Sequence, residues 1–211
     1  MQLQLLNEQQ LRWPQQGKVI LAQYDDSSVT VYQAYCPSIG HYAAKHGHFG
    51  GEFSFNRMSW IKPNFLWMMY RCGWGLKTSQ EVVLAIKLKR SAFEYILANA
   101  VSSSFDSHAY PDQQSWQQAV ANSDVRLQWD PDHGPLGEKL SRRAIQLGLR
   151  ADVLMQYAHD WIIEINDISP LVAQLYQQVA LGQLDALQTP LEQVYQVQNR
   201  QLVDSLGLDF G

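Results

Sequence analysis

Along the chain, short runs of apolar residues that are continuous or alternate with polar ones are interleaved with segments where apolar residues recur every third or fourth position. That mixture predicts an α+β protein. Lys18–Tyr24 and Ser28–Tyr35 read as two strands joined by the turn-forming Asp25, Asp26 and Ser27. The second is rich in β-branched and aromatic residues, as a half-buried pleated surface prefers. Pro37 then ends that strand and opens a helix, PSIGHYAAKHGHF, that stops at Gly50 and Gly51. Arg57–Lys62 predicts a short strand, and Pro63 at the first helical position starts NFLWMMYRCGW. Phe65, Met68, Met69 and Cys72 share one face of that helix, and Gly73 and Gly75 close it. Glu81–Arg90 has the clearest strand pattern in the chain. Ser91 caps the helix after it, whose stripe is Phe93, Ile96, Leu97 and Ala100.

Residues 102–124 are polar, with a short helix expected around Trp116. Val125–Asp130 alternates like a strand, DPDHGPLGEK has loop composition, and Arg142–Arg150 reads as another strand. ADVLMQYAH is helical, whereas DWIIEINDI fits a strand or a helix end equally well. Ser169 and Pro170 open a further helix, and Thr189 with Pro190 predict a last one through TPLEQVYQVQNRQLVDSL. The organisation expected is a polar lead-in over 1–16 anchored by Trp13, a single α+β domain over 17–182 and a helical C-terminal appendage over 183–211. The domain would hold a mixed or antiparallel sheet with flanking helices.

Of the 211 residues, 46% are hydrophobic, enough for a real core, and only 17% are charged. Glutamine takes the place of the missing charge on the surface. A net charge of -4 gives no global positive field to concentrate nucleic acid, and leaves room only for a local basic groove. No apolar run reaches the ~20 residues of a membrane span, so no membrane partner is expected. Two distant cysteines, Cys36 and Cys72, and no signal-peptide pattern imply reduced thiols in a cytoplasmic protein. No zinc-ligand spacing occurs, and His41, His46 and His48 lack the i, i+4 spacing of a helical metal pair, so no metal is expected. Phosphate-loop and nucleophile-elbow motifs are absent. The acid pairs Asp25–Asp26 and Asp130–Asp132 read as turn formers.

The densest chemistry lies between Trp60 and Gly75. Trp67, Tyr70, Arg71 and Trp74 fall at i, i+3, i+4 and i+7, one helical face, with Trp60 and Lys62 just upstream. Two readings are open: a buried helix whose rings supply core volume, or a stacking platform for a planar ligand whose phosphates meet Lys62 and Arg71. An arginine on such a face needs a partner, either an internal carboxylate or a ligand.

VYQAYCPSIGHYA, RMSWIKPNFLWMMYRCGWG, EVVLAIKL, VRLQWDPDH, RRAIQLGLR and WIIEINDISPLV together resemble a family known only as domain of unknown function 4291, from about Val19 to Val172. More remotely, the order of elements is similar to the ADP-ribosyltransferase fold, in which two small antiparallel sheets grip NAD in a split. That resemblance implies an NAD- or nucleotide-binding protein that uses NAD as substrate and transfers ADP-ribose to a nucleic-acid (RNA or DNA) or protein acceptor. Carried over residue by residue, Gln33 would hold the adenosine ribose, Trp60 or Tyr70 would stack on nicotinamide, and Tyr35 would line the same cofactor cleft. Lys62 and Arg71 would meet the phosphates. Gln146 stands where the fold expects an acid, and an amide there supplies no negative charge to the cation-like transition state. The alternative is a non-catalytic nucleic-acid or nucleotide binder with Lys62, Arg71, Lys87, Lys89, Arg90, Arg142 and Arg143 as its phosphate track. A third reading is an interaction protein acting through its C-terminal helix.

Overall fold

The computed structural model describes residues 1–209. In chain order it contains β1 (Leu3–Leu5), α1 (Leu6–Gln10), β2 (Gly17–Lys18), β3 (Leu21–Ala22), β4 (Ser28–Tyr35), α2 (Pro37–His46), β5 (Ser59–Ile61) and α3 (Phe65–Cys72). These lead to β6 (Val82–Lys89), α4 (Arg90–Ala98), β7 (Ala100–Ser102), α5 (Gln113–Asn122), β8 (Val125–His133) and β9 (Lys139–Leu149). Then come α6 (Ala151–Gln156), a π-helical turn (Tyr157–Trp161), β10 (Ile162–Asp167), α7 (Ser169–Ala180), a 3₁₀ turn (Leu184–Ala186), β11 (Gln188–Pro190), β12 (Gln193–Val194) and α8 (Arg200–Leu206). The mixed α+β class is as expected.

Two sheets matter for the site. One is antiparallel, in the order β10-β6-β4, with Ser28 to Tyr35 paired in unbroken register against Lys89 to Val82. The other runs β2-β9-β8-β7, and β5 pairs antiparallel to the end of β9. A hairpin joins β8 and β9, and β2 and β7 are parallel to their neighbours. The loop composition of DPDHGPLGEK is confined to Gly134–Glu138, because both strands outrun their apolar alternation.

Strand β6 explains the layering. Val82, Leu84, Ile86 and Leu88 belong to one core, shared with β8, β9, α4 and α6, and Val83 and Ala85 face a second core built on α3 and α7. Period-2 geometry with both faces buried produces the continuous apolar run seen in the sequence. Proline placement differs from expectation at α3: Pro63 precedes the cap, and Asn64 is the N-cap residue, its Oδ1 accepting from Trp67 N at 2.7 Å. Trp74 therefore lies beyond the helix, in left-handed backbone at φ 56°, and does not share the face of Trp67 and Arg71.

The tail is not the single helix that Thr189–Pro190 suggested. Thr189 is buried in β11, which pairs with β1, and β12 pairs with β3; among the described residues from Thr189 onward, only Arg200–Leu206 is helical. Buried Gln9 organises this junction, donating to Thr189 Oγ1 at 3.1 Å while its Oε1 accepts from Glu192 N at 2.8 Å. A capping proline is ambiguous in sequence, since an edge strand accepts it as readily as a first helical turn.

Candidate functional site

Tyr32 and Lys62 form an isolated antiparallel bridge, exchanging backbone hydrogen bonds of 2.7 and 3.2 Å. Beyond that bridge β4 and β5 belong to different sheets, and a cleft of about 870 Å³ opens between them. Gln33, Tyr35, Trp60, Lys62, Arg71 and Gln146 all line it. Three distant stretches of sequence therefore meet at one hollow. Tyr70 does not join them.

Along β4, Val29, Val31, Gln33 and Tyr35 point the same way, so an apolar row turns polar where the sheets separate. Gln33 is buried and fully engaged. Its Nε2 donates to Tyr35 Oη and Ser59 Oγ, both at 2.8 Å, and to Trp60 O at 3.1 Å, while its Oε1 accepts from Tyr157 Oη at 2.6 Å. The residue expected to hold an adenosine ribose instead ties β4 to β5 and the π-helical turn. Tyr35 also lies within 2.6 Å of Ser59 Oγ, and burial pushes its phenol well above the ordinary range.

Gln146 has a comparable surprise. Its Nε2 donates to Asp130 Oδ2 at 2.7 Å, and Gln128, opposite it across the β8–β9 ladder, donates to Asp130 Oδ1 at 2.9 Å. The acid missing from β9 is thus present one strand away, held by two amides and lining the cleft. Asp130 is a strand residue, not a turn former, and the alternation of Val125–Asp130 already placed Gln128 and Asp130 on one face. Its pair partner Asp132 has a different role, receiving Arg142 Nε at 2.7 Å with both side chains buried. Trp60 reaches the same place because Gly148 lies opposite it: a Cβ at Gly148 would sit 2.5 Å from Met58 Sδ and 3.1 Å from Trp60.

Facing Asp130 are the cations. Lys62 is buried, with a single long hydrogen bond to Trp60 O at 3.5 Å and no carboxylate within ion-pairing distance among the described residues. Desolvation, helped by the Arg71 guanidinium, brings its amine down to about 7. Arg71 and Arg57 line the same space as exposed side chains, and the latter comes from the glycine-rich loop whose Glu52 and Phe53 also line it. Sequence reasoning missed Arg57, Gln128, Ser59 and Tyr157 as site residues, because no motif marks them and only the tertiary fold brings them together.

The extended basic track is not assembled. Arg142 is buried against Asp132, Arg90 donates to Gln196 O at 3.0 Å and stacks between Tyr24 and Tyr195, and Lys89 donates to Asp160 O at 2.8 Å. Lys87 pairs with Asp25 at 3.6 Å. Only Lys62 and Arg71 of that set reach the cleft. Tyr70 lies on the outer side of α3, where its ring stacks on His133 with centroids 3.5 Å apart and planes 10° from parallel.

The site helix is held from below by the chain's end. Glu192, fully buried, accepts from Phe65 N at 2.6 Å and from Asn64 Nδ2 at 3.2 Å, and its carbonyl accepts from Trp13 Nε1 at 3.0 Å. Burial drives its carboxyl well above the usual range. No helix among the described residues is long and apolar enough to cross a membrane, and Cys36 and Cys72 are both free thiols.

The model of the family described as Domain of unknown function (DUF4291) matches residues 19–195, and the chain belongs to that family. The match runs farther than the sequence blocks suggested, through β11 and β12 to Tyr195, so it takes in Glu192 as well as every residue of the cleft. No curated protein matches the chain.

Proposed function

We propose that the cleft binds NAD or a related nucleotide, and that an ADP-ribosyltransferase-like core transfers ADP-ribose from it to a nucleic-acid or protein acceptor. One observation carries the reading: where two sheets part, a single hollow gathers three cations, the Asp130 carboxylate braced by two amides, and Glu52 at its exposed edge. Its volume, about 870 Å³, falls within the ~300–1,000 Å³ of small-molecule sites. Arg57, Lys62 and Arg71 suit a pyrophosphate. Trp60, lying over Gly148 beside Gln146, offers a ring to a planar group. Asp130 takes the role assigned to Gln146. Breaking the glycosidic bond builds positive charge on the ribose, and a carboxylate fixed by two amides stabilises that charge without reorganising. Gln146 then acts through Asp130, as a positioning residue. Free Cys36 and Cys72 fit a reducing, cytoplasmic setting.

The dispersal of Lys87, Lys89, Arg90, Arg142 and Arg143 removes support from a long phosphate track, so a non-catalytic nucleic-acid coat is the weaker reading. The decisive assay measures ADP-ribose binding and nicotinamide release from NAD in parallel, with RNA, DNA and protein acceptors. Asp130→Asn should bind ADP-ribose within about threefold of wild type and lose about 10²-fold or more in release. A wild-type protein that binds neither NAD nor ADP-ribose refutes the proposal. Binding without release reduces it to a nucleotide-binding protein.

A further inference from the structure

Lys62 differs from the other cations of the cleft in how it is held. Its backbone is pinned on one side by the two hydrogen bonds of the bridge to Tyr32, and on the other by Pro63, which restricts the residue before it. Only 6% of the residue is exposed, so its stem is packed and its amine is delivered to the cleft that it lines. There the amine is almost alone. Its hydrogen bond to Trp60 O, at 3.5 Å, is beyond the ~2.7–3.2 Å of an ordinary N–H···O bond. No carboxylate lies within ion-pairing distance of it among the described residues. Lysines elsewhere in the chain are held conventionally: Lys77 donates to Arg71 O at 2.6 Å, Lys89 to Asp160 O at 2.8 Å, and Lys87 pairs with Asp25 at 3.6 Å.

Losing water and counter-charge before a ligand arrives costs a purely phosphate-binding lysine part of its charge. The same loss gives a nucleophilic lysine its lone pair. Desolvation and a neighbouring cation are the two means by which proteins activate an amine in this way, and both act on Lys62, the cation being Arg71. With the amine at about 7, about half of the molecules hold it neutral at pH 7. A neutral primary amine in a sheltered hollow is set to add to a carbonyl. The exposed guanidinium groups of Arg57 and Arg71 line the same hollow and suit a phosphate on the incoming molecule.

We propose that Lys62 captures phosphorylated aldehydes as an imine, with Arg57 and Arg71 holding the phosphate. The nitrogen lone pair adds to the carbonyl carbon, the carbonyl oxygen takes both amine protons and departs as water, and a C=N bond replaces the C=O bond. No oxidant or further reactant is needed. This goes beyond the nucleotide reading and does not depend on it. A bound pyrophosphate would keep the amine protonated and silent, so the two kinds of ligand exclude each other.

The test incubates the full-length protein with glyceraldehyde 3-phosphate or glyceraldehyde, which differ only in the phosphate, and traps imines with cyanoborohydride. Peptide mass spectrometry maps the modified lysines, and the other lysines of the chain report the intrinsic reactivity of each aldehyde. At pH 7 glyceraldehyde 3-phosphate should label Lys62 about 10-fold or more faster than their mean, since an ordinary lysine is neutral there in fewer than about one molecule in a thousand. Labelling of Lys62 should level off above about pH 8 while that of the others keeps rising. Glyceraldehyde should show little of this selectivity. Lys62→Arg, which keeps the charge, should lose the modified peptide and leave labelling of the other lysines unchanged, and the wild-type map needs no variant to fold. Saturating ADP should protect Lys62 alone; capture in a protein that does not bind ADP keeps the imine and removes the nucleotide reading. Labelling of Lys62 less than twofold above the mean, or equal selectivity for both aldehydes, overturns the proposal, and ADP binding in that same protein leaves the nucleotide reading intact.

Discussion

Lys62 makes the cleft a proton-linked anion site, and the linkage can be worked out numerically. With its amine at about 7 in the free protein, half of the molecules carry the charge at pH 7 and about one in a hundred at pH 9. A bound pyrophosphate replaces the missing counter-charge and returns the amine toward its ordinary ~10.4. Ligand then binds with uptake of nearly one proton at pH 8. Affinity should fall about 50-fold between pH 7 and pH 9, equivalent to about 2.3 kcal/mol at 1.4 kcal/mol per decade. ADP-ribose is the right probe, because its pyrophosphate has no proton to lose in that range. Burial pushes the neighbouring Cys72 thiol upward, away from the window. Calorimetry at pH 8 in two buffers of different ionisation heat reads the proton directly. Lys62→Met should bind weakly and show a flat profile. A wild-type affinity that changes less than threefold over this range, or a slope retained in Lys62→Met, refutes the reasoning. The same shift acts on the free fold with the opposite trend. The folded amine lies below its unfolded value, so the unfolded chain binds more protons between pH 7 and about 10, and this group's contribution to stability rises with pH there.

Two further expectations concern the frame around the cleft. Arg142→Met leaves Asp132 buried without its partner, strips Pro14 O of a donor and removes the cation under Trp13. It should cost about 3–5 kcal/mol, seen as a drop of roughly 6–20 °C in Tm by scanning calorimetry; a loss under 1 kcal/mol would contradict the buried pair. Gln33→Leu leaves Tyr157 Oη without a partner, removes one donor each from Ser59 Oγ and Trp60 O, and should destabilise by about 2–4 kcal/mol, measured by urea titration. Were Gln33 mainly a ligand contact, its loss would spare stability and reduce only binding.

Where local pattern decides structure, the sequence was a good guide. Ser28–Tyr35 and Val82–Lys89 stand within a residue or so of expectation because β-branched density and proline or glycine punctuation act locally. The convergence of Gln33, Trp60, Lys62, Arg71 and Gln146 was anticipated, although from a resemblance and not from spacing. What could not be read was cross-strand. The bond from Gln146 to Asp130 depends on the β8–β9 register, and the Pro131–Asp132 pair beside it imitates a turn. Tyr70 was misplaced because helical spacing gives a face without saying what that face meets, and here it meets the hairpin tip. The saturation of Gln33 depends on Tyr157, which is 124 residues away.

The most consequential of these long-range features is the latch formed by both chain ends, since it determines whether the tail is separable. As a helical appendage, residues 183–211 could be removed with little effect on the cleft. In the structure, Glu192 accepts from the first backbone N–H of α3 and from its cap residue Asn64, so the element carrying Trp67, Met68 and Arg71 is oriented by the tail. Removing it also strips Trp13 and Gln9 of their partners and leaves β1 and β3 unpaired. A chain ending at Gly182 should fail to fold, showing collapsed near-ultraviolet dichroism and aggregation. A chain ending at Asn199 keeps the latch and loses only α8, whose Leu202 and Leu206 bury their side chains against the first core. It should fold with a cost of about 3–6 kcal/mol for the two apolar side chains and retain its affinity for ADP-ribose within a few-fold. The family match, which ends at Tyr195, divides the tail at nearly the same place. A soluble, cooperatively melting 1–182 chain would show that the ends of the polypeptide do not hold the cleft together.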